Sequence, residues 1–267
     1  MADDAREADP VIELQNVRVD YAGAPRPAVR DATLTIAGGA FVALVGPSGS
    51  GKTSLLKTIN RLVEPAGGAI RVEGRDIGDF APHVLRRRIG YVFQGVGLFP
   101  HMSVRENIAI TPSLLGWPRE KIAARVDAVF DLIALPRDYL DRPPSALSGG
   151  ERQRVAVARA LAAEPRVVIM DEPFGALDPV TRDALGQAYR ALHERMKLTT
   201  VMVTHDVQEA ALLADRIVVL QDGAIIADDT PRAMLAGAHP QAAAMFETPR
   251  RQAAQIAALA RDARQES

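Results

Sequence analysis

Gly46-Pro47-Ser48-Gly49-Ser50-Gly51-Lys52-Thr53 decides how this chain is read. It has the form of a phosphate-binding loop: a glycine, four spacer residues, then glycine, lysine and a hydroxyl residue. The flanks agree. Phe41 to Val45 is a compact apolar run of strand type, and Lys52 to Val63 carries Leu55, Leu56, Ile59 and Leu62 at helical spacing. A strand, a glycine-rich turn and a helix aim successive backbone N–H groups, and the positive end of the helix, at an anion. Glycine supplies the tight backbone path. Lys52 is expected to reach the β and γ phosphates and the Thr53 hydroxyl to ligate Mg²⁺ directly, with Ser54 closing the nucleotide-contacting set. No Asn-Lys-x-Asp motif follows, so the usual guanine signal is missing.

Working outward, Val167-Val168-Ile169-Met170-Asp171-Glu172 is an apolar strand ending in two carboxylates, which suits a site needing one acid for metal and another for water. Asp171 is the expected metal carboxylate and Glu172 the group that orients and polarises the attacking water. Taken alone, such a pair also serves simply as a cap for the next helix. Leu147-Ser148-Gly149-Gly150-Glu151 precedes a predicted helix over Glu151 to Ala163 and exposes amides at its start, a second anion-binding arrangement.

The remaining pattern frames these motifs. Val11 to Val19 and Ala32 to Ile36 alternate like half-buried strands around a turn at Gly23 to Pro27. Ser103 to Asp138 reads as mostly helical, with Pro118 opening a helix that carries Ile122, Val126, Val129, Phe130 and Ile133. A helix over Val180 to Met196, a strand over Thr199 to Val203, and a hairpin of Arg216 to Leu220 with Ala224 to Ala227 complete an alternation typical of a parallel sheet covered by helices.

Lysine plus arginine total 32 against 33 acidic residues, a net charge of -1, which leaves no electrostatic footprint for nucleic acid or anionic lipid. Disulfides and thiolate metal sites are excluded because the chain has no cysteine. Met1 to Glu7 is acidic and polar, reading as a frayed tail rather than a secretory leader, and no apolar run nears the ~18 residues of a spanning helix. His193-Glu194 has Lys197 where a zinc motif needs its second histidine, so a zinc site is rejected. Asp127 and Asp131 read as a solvated helix face.

Loop, signature and acid pair, in that order and followed by Thr204-His205, resemble the ATP-binding cassette ATPases from about Val11 to Ala227. The resemblance implies an α/β P-loop fold of that type: a mixed central sheet with helices, an antiparallel β subdomain and a helical subdomain. It implies one ATPase domain over 11–240 with the helical subdomain inserted at about 95–160, followed by a helical tail over 241–267. Tyr21 resembles the aromatic that stacks on adenine, Gln94 the residue linking the γ-phosphate and metal to the transporter interface, and Ala176-Leu177-Asp178 the loop joining two sites. His205 resembles the switch histidine at the γ-phosphate. Taken singly, Tyr21 is equally a packing aromatic, Gln94 an ordinary polar residue after a strand, and His205 a surface or satisfied histidine.

The same resemblance implies that Ser148, Gly149 and Gly150 contact nucleotide held by a second copy of the chain, with ATP and Mg²⁺ as cofactors. Implied partners are transmembrane permease subunits and, indirectly, an extracytoplasmic substrate-binding protein, at the cytoplasmic face of the cell (inner) membrane. Arg87 to His101 together with Asp178-Pro179-Val180-Thr181-Arg182 look like importers of glycine betaine, carnitine or choline. The end at Ser267 is too early for the paired CBS domains of many such relatives, and Glu151 stands where glutamine is common. Other readings are an importer for amino acids or another small polar solute, a cassette protein outside transport, and a nucleotide-binding regulator without turnover.

Overall fold

The computed structural model describes residues 9–265, so the Met1 to Glu7 tail lies outside it. The chain runs β1 (Pro10–Val19), β2 (Val29–Ala37), β3 (Phe41–Val45), α1 (Lys52–Ile59), β4 (Gly67–Val72), β5 (Arg75–Asp76), α2 (Pro82–Arg88) and β6 (Ile89–Val92). It continues through α3 (Val104–Leu114), α4 (Arg119–Asp131), α5 (Gly149–Leu161), β7 (Val167–Asp171), α6 (Pro179–Met196), β8 (Thr199–Val203), α7 (Val207–Leu213), β9 (Arg216–Gln221), β10 (Ala224–Asp229), α8 (Pro231–Ala236) and α9 (Pro240–Gln265). One sheet has the order β2-β1-β4-β5 and is antiparallel; the other has the order β10-β9-β3-β8-β7-β6, parallel except for β10.

Alternation in β1 buries Ile12 and Leu14, then Val17 and Val19. The switch from even to odd positions needs one extra residue, and Asn16 supplies it at φ 51°, where the register shifts. β3 has no alternation because both of its faces are covered, as expected for a central parallel strand. Phe41, Ala43 and Val45 face the helices α5 and α6, while Val42 and Leu44 face α1 and the antiparallel sheet. α1 is therefore packed between two sheets through Leu55, Leu56 and Ile59.

The connection from β6 to its neighbour β7 contains α3, α4 and α5. Ser103 and Ser148 each open a helix with a reciprocal capping box, to Glu106 and Glu151 respectively. Glu151 thus accepts from the Ser148 backbone N–H at 2.7 Å, a contact that glutamine would also make. Pro118 is the N-cap of α4, whose Val126, Val129 and Phe130 are buried, and Asp127 and Asp131 both accept from Arg137 at 2.6 Å on the exposed face. At the other end of the chain, α9 is anchored in the main core through Ala242 and Phe246. β4 left little trace in the sequence because it starts with Gly67-Gly68, which bring no side chains to alternate.

His193 is a satisfied core residue. Its Nε2 lies 3.1 Å from the carbonyl oxygen of Gly39 and its Nδ1 3.0 Å from Thr200 Oγ1. A carbonyl only accepts, so Nε2 carries the proton and the Thr200 hydroxyl donates to Nδ1, while Tyr189 donates to Thr200 at 2.8 Å. Burial, with help from Arg190, holds the imidazole below its ordinary pKa of 6.5. Below that value the unfolded chain takes up a proton that the folded chain refuses, so stability must fall as pH drops from 6.5 toward the lowered native value. Urea unfolding of His193→Gln should show lower stability above neutrality but a shallower loss on acidification than wild type. Parallel pH profiles for the two proteins would refute this account.

Candidate functional site

The parallel register brings three strand ends into line. Leu44 pairs with Val203, and Asp171 pairs with Val203 from the other side, so the phosphate loop, Glu172 and Thr204-His205 leave the sheet at one edge. Ligands of open α/β sheets bind at such carboxyl ends. In the loop, Gly46 has φ 151° and a Cβ there would lie 2.1 Å from the Leu220 carbonyl oxygen. Gly51, at φ 98°, would clash likewise at 2.2 Å with that of Ala28. These two positions admit only glycine for steric as well as conformational reasons.

Lys52 folds back over the loop, donating to the carbonyls of Gly46 and Pro47 at 2.8 Å each. Burial lowers its pKa, opposed by the negative charges of Glu172 and Asp171. Thr53 Oγ1 donates to Asp171 Oδ1 at 2.8 Å, so the two residues expected at the metal face each other directly. Asp171 is 1% exposed, and burial raises its pKa against the Thr53 hydrogen bond and the charge of Lys57. Sequence reading overlooked Lys57, whose Nζ lies 3.8 Å from Asp171 Oδ2. It sits one helical turn after Thr53, so the i, i+4 spacing was the available signal.

These oxygens fit a hard cation that takes few protein ligands and keeps water and phosphate around it. Among the described residues no group of three or more His, Cys, Asp or Glu side chains could hold a metal alone. Gln94 is not bonded to this pair. Its Nε2 donates instead to Glu172 Oε2 at 3.1 Å, and His205 Nδ1 stands 3.5 Å from the same oxygen. Glu172 has φ 49°, an uncommon conformation for a side-chain-bearing residue and one that recurs at functional sites. Its N–H donates to the Val203 carbonyl at 2.9 Å, which ties the strained residue to the sheet.

Tyr21 is exposed, with its hydroxyl 3.1 Å from Ser54 Oγ at the rim of the loop. Ser148, Gly149 and Gly150 start α5, and among the described residues no hydrogen bond joins them to the phosphate loop of the same chain. Gly150 packs against the 176–178 loop, where an added Cβ would meet Leu177 Cδ2 at 3.0 Å. Asp178 caps α6 by accepting from Val180 and Thr181. Arg182, given no role at the site by the sequence, donates to the Leu177 carbonyl at 3.1 Å and pairs with Asp206 at 3.4 Å, linking that loop to the residue after His205.

Comparison with known proteins extends this geometry. Residues 29–175 match the ABC transporter family. Over 225 residues the chain is 48% identical to the glycine betaine/carnitine/choline transport ATP-binding protein OpuCA of Bacillus subtilis, covering 84% of this chain and 59% of that one. It is also 48% identical over 220 residues to the sulfate/thiosulfate import ATP-binding protein CysA of Thermosynechococcus vestitus, covering 82% and 64%. The chain spans less than two thirds of the length of either relative. The dimeric ATP-binding cassette MJ0796, in a post-hydrolysis state bound to ADP and Pi, superposes with a TM-score of 0.76 at 32% identity over 83% of this chain and 99% of its own. The family match takes in more than half of the residues and the cassette fold is shared almost throughout; the chain belongs to the ABC transporter family.

Proposed function

We propose that this chain binds and hydrolyses ATP, as a dimer of identical chains, to drive import through separate membrane subunits. The observation that supports it most is the convergence of Gln94 and His205 on one oxygen of Glu172, beside the Thr53–Asp171 pair and the phosphate loop. Loop amides and Lys52 would hold the phosphates, whose charge in the transferring group is spread over three oxygens. Magnesium, when bound by Thr53 and Asp171, with Gln94 as an additional candidate ligand, would offset that charge. Glu172 would take the hydrogen bond of the attacking water at Oε2, with Gln94 and His205 fixing the direction of that oxygen. Tyr21 would stack on adenine.

Completion of the site by a second copy is supported by Ser148, Gly149 and Gly150 having no hydrogen bond to their own phosphate loop among the described residues. These residues and Asp178 would cover nucleotide held by the partner, so that ATP joins the two chains and hydrolysis parts them. Among the described residues no helix is long and apolar enough to cross a membrane. A cleft of about 300 Å³, lined by the exposed apolar residues Leu62, Phe93, Phe99 and Leu114, offers a seat for a membrane partner. Peripheral attachment at the cytoplasmic face, with an extracytoplasmic binding protein delivering solute to the permease, completes this reading. Glycine betaine, carnitine or choline is the proposed cargo, on the resemblance of residues 87–101 and 178–182 and the identity to the OpuCA protein.

Glu172→Gln should keep ATP binding while losing at least about a hundredfold in turnover, the scale of a positioned general base. It should also accumulate an ATP-dependent dimer on size-exclusion chromatography. Full turnover in this variant would remove Glu172 from the water site. Uptake of radiolabelled glycine betaine, carnitine, choline, amino acids and sulfate, compared among wild-type cells, cells lacking the gene and cells carrying Lys52→Ala, tests the cargo. Loss of betaine or choline uptake in both defective strains is the expected result, whereas loss of sulfate or amino-acid uptake alone would reassign the cargo.

A further inference from the structure

Arg159 lies near the end of α5 and is 8% exposed, yet among the described residues its hydrogen bonds go only to carbonyl groups, with the Phe93 ring centroid 6.0 Å from the guanidinium carbon. Nη1 donates to the Gly97 oxygen at 2.6 Å and Nη2 to the Val96 oxygen at 3.1 Å. Burial lowers the guanidinium pKa, and no acidic neighbour offsets it. A buried charge is costly without partners, and this one spends its donors on two consecutive carbonyls. Those carbonyls belong to a strained segment. Val96 has φ 65°, where a β-branched residue is a genuine outlier, and Gly97 follows at φ 57°. The local bonds are short-range turns, Val96 N to the Phe93 carbonyl at 3.1 Å and Gly97 N to that of Gly95 at 2.7 Å, which leave the segment without a sheet or helix to hold it. The forked guanidinium supplies the hold from outside.

The segment starts at Gln94, whose amide donates to Glu172, and α5 starts at Ser148. We infer that Arg159 is a positioning residue that fastens the segment after Gln94 to α5, so that Ser148 at one end of the helix and Gln94 at the other move as one body. The inference rests on the ATP-hydrolysing reading above. A loosened segment would free Gln94 from the position in which its amide meets Glu172 Oε2.

The chain has no cysteine, so a nitroxide on Gly95→Cys reports this segment alone; Gly95 is exposed and an added Cβ there meets nothing. A second label on Ala184→Cys, on the exposed side of α6, reports the rest of the fold. Arg159→Lys keeps the charge and loses the fork. In the full chain it should narrow the spin-label spectrum at position 95 and leave that at position 184 unchanged. Affinity for a fluorescent ATP analogue should stay within about twofold while kcat falls on the order of tenfold to a hundredfold, the scale for a displaced catalytic group. An unchanged spectrum at position 95 overturns the proposal, and so does equal loosening at both positions, which would mark Arg159 as a folding residue. If the unsubstituted chain turns over no ATP, the hydrolytic reading fails while the paired spectra still decide whether Arg159 fastens the segment.

Discussion

Parallel pairing of β3, β7 and β8 is the constraint on which the site depends. With Leu44 and Asp171 both in register with Val203, the chain must leave three adjacent strands at the same height. Nothing in the side chains alone would bring Thr53 within 2.8 Å of Asp171, which is 118 residues away. The sheet does so because its buried faces fix the register: a slip of one residue would turn Phe41, Ala43 and Val45 to the opposite core. Close packing behind the loop adds the second restraint, since the Leu220 and Ala28 carbonyls occupy the space that a Cβ at Gly46 or Gly51 would need.

The edge so formed concentrates unfavourable terms that the fold offsets locally. Asp171 is buried and held by one hydroxyl and one ammonium, Lys52 is buried against carbonyls, and Glu172 adopts a left-handed conformation. Each is tolerable because the sheet and α1 are rigid around it, which is how strain is kept at functional sites. On the far side of the sheet, the Tyr189–Thr200–His193–Gly39 chain is fully satisfied and has no contact with this edge. Polar burial there is a matter of folding, not of chemistry.

Much of the architecture was legible. Apolar runs ending in glycine or acid marked β3 and β7, and the small residues before Glu151 marked the start of α5 to within two residues. Local chemistry of that kind is written in adjacent residues. What was not legible depended on distant partners. β4 begins with two glycines and reads as turn until β1 pairs with it. The φ of Glu172, the pairing of Lys57 with Asp171 and the grip of Arg159 on Val96 and Gly97 arise only when separate segments meet. Glu172 was named from its place at the end of an apolar strand and Gln94 and His205 from family resemblance, but their meeting at one oxygen is a three-dimensional fact that no spacing contains.

β6 and β7 are neighbours in the sheet, yet the chain travels through three helices between them. The two strand ends are pinned by pairing of Ile89 with Val167 and Val92 with Met170, whatever lies in between. Lengthening such a connection costs only the slow logarithmic growth of loop entropy. Changes of length or tilt in α3 and α4 would therefore leave the strand ends that hold the site in place, which makes this excursion the part of the fold where variation disturbs the site least.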